Sequence, residues 1–395
     1  MTKYGRKLGK TIAGLIIVAV FCWAFVIQYE VLKHRSPLAV GQVELLEDGD
    51  DSDFSPDLVD RAKVRLAQFP NDQRALNLLS VGLAKTGIDQ AEKDRIFELL
   101  AKLGWRYSVV QQNRIINALK TGDLETIVIS SDALLRRNLT ENRIIDLLYL
   151  VEIEQGTQQY LVKQLSFNPG WRNVFFRRPN ALRSEAQIEA RARTLNMMLD
   201  SGDQISRSNM APSLFAMANS GKLDMAMDIF QKYVGTTSEE IINDPTFQEL
   251  ARAQNTADYR SLPFEWIKHD TRGLQISAIE GESETAVRIK WDGRGTPLMF
   301  SQFVKIAADQ QYHLQVTGSD ATPDLTRRLQ FSLSCQAGAA RFDQLDENSE
   351  AKKLVLSSAD ALPCEYAKLE IKGRIQDVAR PQDIGLSSIQ MIAFD

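Results

Sequence analysis

The chain has 395 residues, of which 44% are hydrophobic and 25% charged, with 22 Gly and 12 Pro. This ordinary globular composition excludes collagen-like, low-complexity and wholly disordered classes, and at roughly 150 residues per domain the length predicts two or three domains. A formal charge of −4 and a pI near 5.7 exclude a nucleic-acid binder that works by broad neutralisation of phosphates.

The charge is unevenly placed. Lys3, Arg6, Lys7 and Lys10 precede any acid, and residues 11–395 carry 43 bases against 51 acids. From Ile12 to Ile27 every residue is apolar or Gly, and the uncharged span runs from Thr11 to Tyr29, where Glu30 ends it. A helix from Thr11 to Leu32 would be ~33 Å long at 1.5 Å per residue, enough to cross a bilayer. The expectation is therefore a transmembrane anchor over residues 1–32. A cleaved signal peptide is the alternative, although no small-x-small cleavage pattern follows Ile27. The basic flank would stay in the cytoplasm, which places the body in the periplasm of a bacterial inner membrane. Lys33, His34 and Arg35 partly oppose that orientation.

Next, residues 33–54 read as a linker. Glu44, Glu47, Asp48, Asp50, Asp51 and Asp53 lie there without a base between them, so the stretch is solvated and self-repelling. A calcium loop fails because the twelve-residue pattern and its closing glutamate are absent.

From residue 55 to 255 the helical period dominates, as in Leu58, Ala62, Leu66 and again in Ile144, Leu147, Leu148, Val151. Turn-like glycines recur at Gly87, Gly122 and Gly156, and Gly221 follows at about twice that spacing. Pro212 to Tyr233 resembles a tetratricopeptide repeat, with Gly221 at the turn and Ala226 and Phe230 where such repeats pack their second helix. The matching positions are Ile127 and Ser131 after Gly122, and Leu161 and Leu165 after Gly156. The resemblance implies an α-solenoid in which stacked helix pairs share one core; an irregular helical bundle is the alternative.

Phe167 to Pro179, FNPGWRNVFFRRP, interrupts this spacing. Trp171, Phe175 and Phe176 interleave there with Arg172, Arg177 and Arg178. Trp and Arg are enriched at interaction hot spots, so Trp171, Arg172, Arg177 and Arg178 are candidate partner-binding residues. The competing reading has the aromatics plugging the core and the arginines pairing with acids of the solenoid.

From Leu262 the period changes to two, in the runs LQISAIEG, TAVRIKWDG, MFSQFVKIA, YHLQVTGSD, RRLQFSLSC, KKLVLSSA, AKLEIKGRI and SSIQMIAFD. So many short alternating runs over residues 262–395 predict an antiparallel β-sandwich, best closed as a jelly roll. Cys335 and Cys364 lie 29 positions apart here, and in an oxidising compartment a bridge between them would stabilise by ~3 to 4 kcal/mol. Two buried free thiols are the alternative. The overall expectation is a multidomain α + β chain: membrane helix, solenoid and jelly roll.

Pro263–Trp266 (PFEW), Ile289–Gly293 (IKWDG), the strand Tyr312–Gly318 and the cysteine pair, following helical repeats and an anchor, resemble the C-terminal domain of bacterial envelope proteins tied to exopolysaccharide loci. The resemblance implies a membrane-anchored scaffold or accessory protein in exopolysaccharide biosynthesis, assembly or export. Envelope or polysaccharide-export proteins would be its partners on the solenoid, and polysaccharide would meet the jelly roll. An envelope protein–protein adaptor without glycan contact is the alternative.

The sequence holds no Walker loop, GxGxxG, GxSxG, HExxH or CxxC, and its three histidines are scattered at His34, His269 and His313. No metal, cofactor or catalytic residue is therefore expected, and the chain reads as a non-enzyme that leaves nucleic acid alone. Sugar stacking on aromatic faces is the sharpest chemistry left, with Trp266, Trp291, Tyr312 and Tyr366 as candidates; each also alternates as a core residue would.

Overall fold

A computed structural model describes residues 56–70, 108–137, 141–178, 182–235, 241–254, 260–280, 285–319, 325–335, 338–344, 353–358, 362–374 and 381–394, with isolated positions between 72 and 95. The chain divides into two compact units, Met1–Asn117 and Ala118–Asp395. In the first, helix α1 (Pro56–Gln68) buries Val59 and Ala62 against Ala75, Leu78 and Leu79. Arg65 bonds Asp72 at 2.8 Å and lies over the Phe69 ring.

The second unit begins in the last turn of α2 (Ser108–Thr121) and continues through α3 (Leu124–Leu135), α4 (Glu141–Glu152), α5 (Thr157–Ser166), the short α6 (Arg172–Arg177), α7 (Glu185–Asp200), α8 (Arg207–Asn219), α9 (Leu223–Val234) and α10 (Gln248–Gln254). Gly122, Gly156 and Gly221 sit at the helix-to-helix turns with φ of 73°, 88° and 79°, a region that costs any residue with a Cβ. That requirement is why glycine recurs at the repeat spacing. The second helices of successive pairs stack, α3 on α5, α5 on α7 and α7 on α9. The residues expected to pack them are interior: Ile127, Ser131, Leu161, Leu165, Ala226 and Phe230 are all buried. Helix α7 starts on a capping box in which Ser184 and Gln187 satisfy one another's backbone N–H groups.

At the centre of the helical layer an ion pair is sealed from solvent. Arg191 of α7 bonds both carboxylate oxygens of Glu152, each side chain only 1% exposed, and the Thr194 hydroxyl donates to the same carboxylate at 2.7 Å. The guanidinium also lies 4.1 Å from the Phe175 ring centroid.

The strands follow: β1 (Ile267–Lys268), β2 (Leu274–Glu280), β3 (Thr285–Trp291), β4 (Leu298–Lys305), β5 (Gln311–Gly318), then helix α11 (Leu325–Arg328), β6 (Leu329–Cys335), β7 (Gly338–Gln344), β8 (Lys353–Ser358), β9 (Tyr366–Gly373) and β10 (Gln382–Phe394). All ladders are antiparallel. The strand order is β1-β4-β9-β6-β7-β8-β5-β10-β3-β2, which sets β4-β9-β6-β7 in one sheet and β8-β5-β10-β3 in the other. Each sheet draws strands alternately from the two halves of the run, as two interleaved Greek keys require, and this is a jelly-roll order. Side chains alternate accordingly; β6 reads buried at Leu329, Phe331, Leu333 and Cys335. Cys335 is joined to Cys364, with Cα atoms 6.1 Å apart.

Helical and sheet layers share packing. Ile242, Phe247 and Leu250 belong to the sandwich core, and the Pro245 carbonyl accepts the Ile389 N–H at 2.8 Å. Phe230 of α9 meets Phe264 at 5.3 Å between ring centroids.

The expected membrane helix is corrected. Among the described residues no helix is long and apolar enough to cross a membrane. The longest, α7, has 16 residues, ~24 Å of helix against the ~30 Å of a hydrocarbon core, and carries Glu189, Arg191 and Arg193 along its length. The described fold is α + β, and the placement in a bacterial inner membrane with a periplasmic body loses its support. The segment read as an anchor, the acidic linker and the Gly87 turn lie outside the described residues.

Candidate functional site

The aromatic and basic segment begins where α5 stops. Phe167 caps that helix, and Asn168 then adopts φ 48°, a left-handed turn that asparagine tolerates better than most residues. Pro169 follows, and its carbonyl accepts the Arg172 N–H at 2.9 Å to start α6. This reversal sends the next side chains in two directions.

Trp171 goes inward. Its indole is 3% exposed, meets Phe175 edge-on and donates its N–H to Asp132 at 2.9 Å. Arg172, at 4% exposed, donates to the Leu165 carbonyl at the end of α5 (3.0 Å) and to Asp203 (3.2 Å), so it satisfies a helix terminus as well as a charge. Arg178 bonds Asp146 and Asn142 of α4. Arg177 is exposed, donates to the Ser208 hydroxyl at 3.0 Å and, among the described residues, meets no carboxylate. Of the four expected partner-binding residues, Trp171 is thus a core residue, Arg172 and Arg178 are tied to acids, and Arg177 alone points its charge toward solvent-accessible space.

That space is a cleft of about 860 Å³. Its lining includes Arg172, Asn173 and Arg177 of α6, Asp203 and Gln204 of the loop before α8, and Ser206 to Asn209 at the opening of α8. Glu249 and Arg252 of α10 also line it. The position of α10 is set by the segment before it: Asp244, at φ 57°, accepts the Leu250 N–H at 3.0 Å, while Phe247, also at φ 57°, is buried against Trp266. Burial raises the Asp244 carboxyl above the usual carboxylate range, against the pull of the backbone N–H groups it accepts. Arg207 Nη1 donates to both carboxylate oxygens of Glu265, at 2.6 and 2.7 Å.

Four guanidinium groups therefore face this cleft against the two carboxylates of Asp203 and Glu249. Two of the lining residues hold an oxygen that is itself buried and, among the described residues, meets no donor: Asp203 Oδ2 and Asn209 Oδ1, the latter on a side chain 3% exposed. Between the lining residues Ser166 and Asn168 sits Phe167, 66% exposed. The sequence pointed to Arg172 and Arg177, but Asp203, Arg207, Asn209 and Arg252 carry no local signal, being drawn from separate turns of the chain.

The aromatic candidates for sugar stacking are corrected. Trp266, Trp291 and Tyr312 are 1–3% exposed, and Tyr366 is 9% exposed, so no ring face is free to take a sugar. Trp266 donates its N–H to the Asp244 carbonyl, Trp291 to the Arg294 carbonyl, and the Tyr312 hydroxyl bridges the backbone of Ala307. Burial, and then Asp224 and neighbouring acids, push the Tyr366 hydroxyl far above its ordinary pKa. Among the described residues no group of three or more His, Cys, Asp or Glu could hold a metal ion.

No family model matches the chain, and no curated protein does. Among solved structures, the chain is similar to a family GH115 4-O-methyl-α-glucuronidase with specificity for decorated arabinogalactans, at 10% identity and a TM-score of 0.20, over 63% of this chain and 41% of that one. The chain thus spans less than half the length of that protein, and a likeness of this size carries no argument about activity.

Proposed function

We propose that this protein is a non-catalytic scaffold or accessory component in the assembly or export of an exopolysaccharide, and that it holds an anionic polymer through its helical layer. The polysaccharide context comes from the sequence resemblance of the repeats and the jelly roll. The observation that carries the rest is the cleft between α6, α8 and α10, where four arginines face two acids. Attraction of an anion to the excess positive charge of a partly enclosed cleft is stronger than on open surface, because less water screens it. The jelly roll, whose aromatics are consumed by its own core, acts as the rigid body against which α10 is fixed.

Calorimetric titration of the whole chain with an acidic and a neutral polysaccharide tests this reading. Binding of the acidic polymer that weakens as salt is raised supports it. Absence of binding by both, or salt-independent binding of the neutral polymer alone, overturns it; capture of only a protein partner would favour the adaptor reading. Deleting the gene should lower secreted polysaccharide.

A further inference from the structure

The turn that docks α10 carries chemistry of its own, independent of what the cleft binds. We infer that the chain cuts itself at the Asp244–Pro245 peptide bond, the Asp244 carboxyl attacking its own carbonyl carbon while Trp266 holds the carbonyl oxygen.

The sequence holds a single Asp–Pro step, at Asp244. Proline makes that bond a tertiary amide without an N–H, and its nitrogen accepts a proton more readily on leaving than that of an ordinary peptide. The aspartate carboxyl reaches its own carbonyl carbon through a five-membered ring, so nucleophile and target are already one molecule. Three features of the fold then act on the bond. First, the Asp244 carbonyl oxygen accepts two N–H donors, the buried Trp266 indole at 2.9 Å and the Phe247 backbone at 3.1 Å. Paired N–H donors at such distances are how an oxyanion is stabilised as charge develops on it. Second, Asp244 and Phe247 both sit at φ 57°, two of the four non-glycine residues with positive φ among the described residues. A left-handed residue with a Cβ is strained, and proline narrows the conformations open to the residue before it, so breaking the bond relieves what the intact turn must hold. Third, the backbone is clamped on both sides. Gln302 Nε2 donates to the Asn243 carbonyl at 2.8 Å, and the Ile389 N–H donates to the Pro245 carbonyl at 2.8 Å.

The Leu250 N–H holds the carboxyl by its Oδ2, and burial keeps a larger share of it protonated than an exposed aspartate would be. In the neutral form one side-chain oxygen bonds to the Asp244 carbonyl carbon, the carbon–nitrogen bond to Pro245 breaks, and the carboxyl proton passes to the proline nitrogen. The first product is a cyclic anhydride on Asp244. One water opens it, restoring the side-chain carboxyl and leaving a C-terminal carboxyl on Asp244 and a new N-terminus at Pro245. Water is the sole co-reactant. The two pieces stay together, because Arg207 with Glu265 and Phe230 with Phe264 join them across the cut. The cleft lining is then shared between two chains, with Glu249 and Arg252 on the piece that begins at Pro245.

The full chain, native and in parallel unfolded in urea, is incubated at neutral pH over several days and followed by denaturing electrophoresis and intact mass. The native chain should yield residues 1–244 and 245–395, at least about tenfold faster than the unfolded chain, and the two pieces should co-elute from a sizing column. Asp244→Asn keeps a side chain suited to the left-handed turn and to helix capping, so its melting temperature should stay near the parent's while cleavage slows at least about tenfold. Trp266→Phe keeps a ring but loses the indole donor, and should slow the cut by about tenfold or more. Dilute hydroxylamine should trap the anhydride as a hydroxamate on Asp244. A native chain that stays intact, or one cut no faster than the unfolded chain, would overturn the proposal. Cleavage of Asp244→Asn at the parent rate, or products without hydroxamate, would overturn the carboxyl as nucleophile. If Trp266→Phe melts far below the parent, Asp244→Asn and the trapping experiment decide the matter.

Discussion

Replacing Arg191 with Met isolates what the sealed ion pair of the helical layer contributes. Methionine keeps most of the side-chain length beside Phe175 and Tyr149, and removes the charge. The Glu152 carboxylate is then left at 1% exposure with a single remaining donor, the Thr194 hydroxyl. An uncompensated buried charge of this kind costs ~3–5 kcal/mol. At ~2–4 °C per kcal/mol for a domain of this size, melting should fall by roughly 6–20 °C. The double variant Glu152→Leu with Arg191→Met removes both charges, and Thr194 keeps its bond to the Ala190 carbonyl at 3.2 Å. It should recover most of the loss, because well-packed apolar replacements of buried ion pairs are often neutral or stabilising. Thermal unfolding followed by circular dichroism, with urea titration as a second measure, reads all three proteins. If Arg191→Met melts within about 2 °C of the parent, or the double variant is as unstable as the single one, the unpaired charge is not the cause of the loss.

Trp171→Ala should cost ~3–5 kcal/mol through the cavity it leaves and the lost bond to Asp132, whereas Arg178→Ala should cost under about 1 kcal/mol; thermal melts giving the opposite order would show that Trp171 is not a packing residue. Converting Cys335 and Cys364 to Ser opens a 29-residue loop and should lower stability by ~3 to 4 kcal/mol, read as a shift in urea midpoint, while unchanged midpoints would mean that the bridge does not constrain the unfolded chain. Gly373→Ala would put a Cβ 2.9 Å from Trp291 and 3.0 Å from Pro297, so a loss of ~1–3 kcal/mol is expected, and a neutral melt would show that Trp291 can yield. His269 bonds the Ser301 hydroxyl at 2.9 Å, and burial first, then Lys368, lower its pKa below the ordinary 6.5. The unfolded chain therefore takes up that proton more readily, so the contribution of His269 is full above about pH 6.5 and declines as pH falls through it. Urea midpoints for the parent and His269→Asn should diverge above that pH and converge below it; parallel curves would contradict the assignment.

Local physics was legible in the residues. Alternating runs after Leu262 each became a strand, because period two is a property of the extended backbone itself, and glycines at the repeat turns follow from a φ that other residues resist. The two strands that were missed, β1 and β7, are respectively two residues long and the run GAARFDQ, too short and too weakly alternating to stand out. Alternation puts Trp291 and Tyr312 on one face of β3 and β5, but whether that face meets sugar or the opposite sheet is decided by the layer above it, and that layer comes from distant strands, as where the Trp291 ring lies over Gly373 of β9. The ion pair of Glu152 with Arg191, 39 positions apart, is invisible for the same reason. The cleft is the strongest case: its arginines come from α6, α8 and α10, and only the docking of α10, through the buried Ile242, Phe247 and Leu250, brings Arg252 to the others. Period and backbone preference act over a few residues. Sites of this kind depend on contacts between distant segments, whose pairing is set by the shared burial of apolar surface rather than by any spacing along the chain.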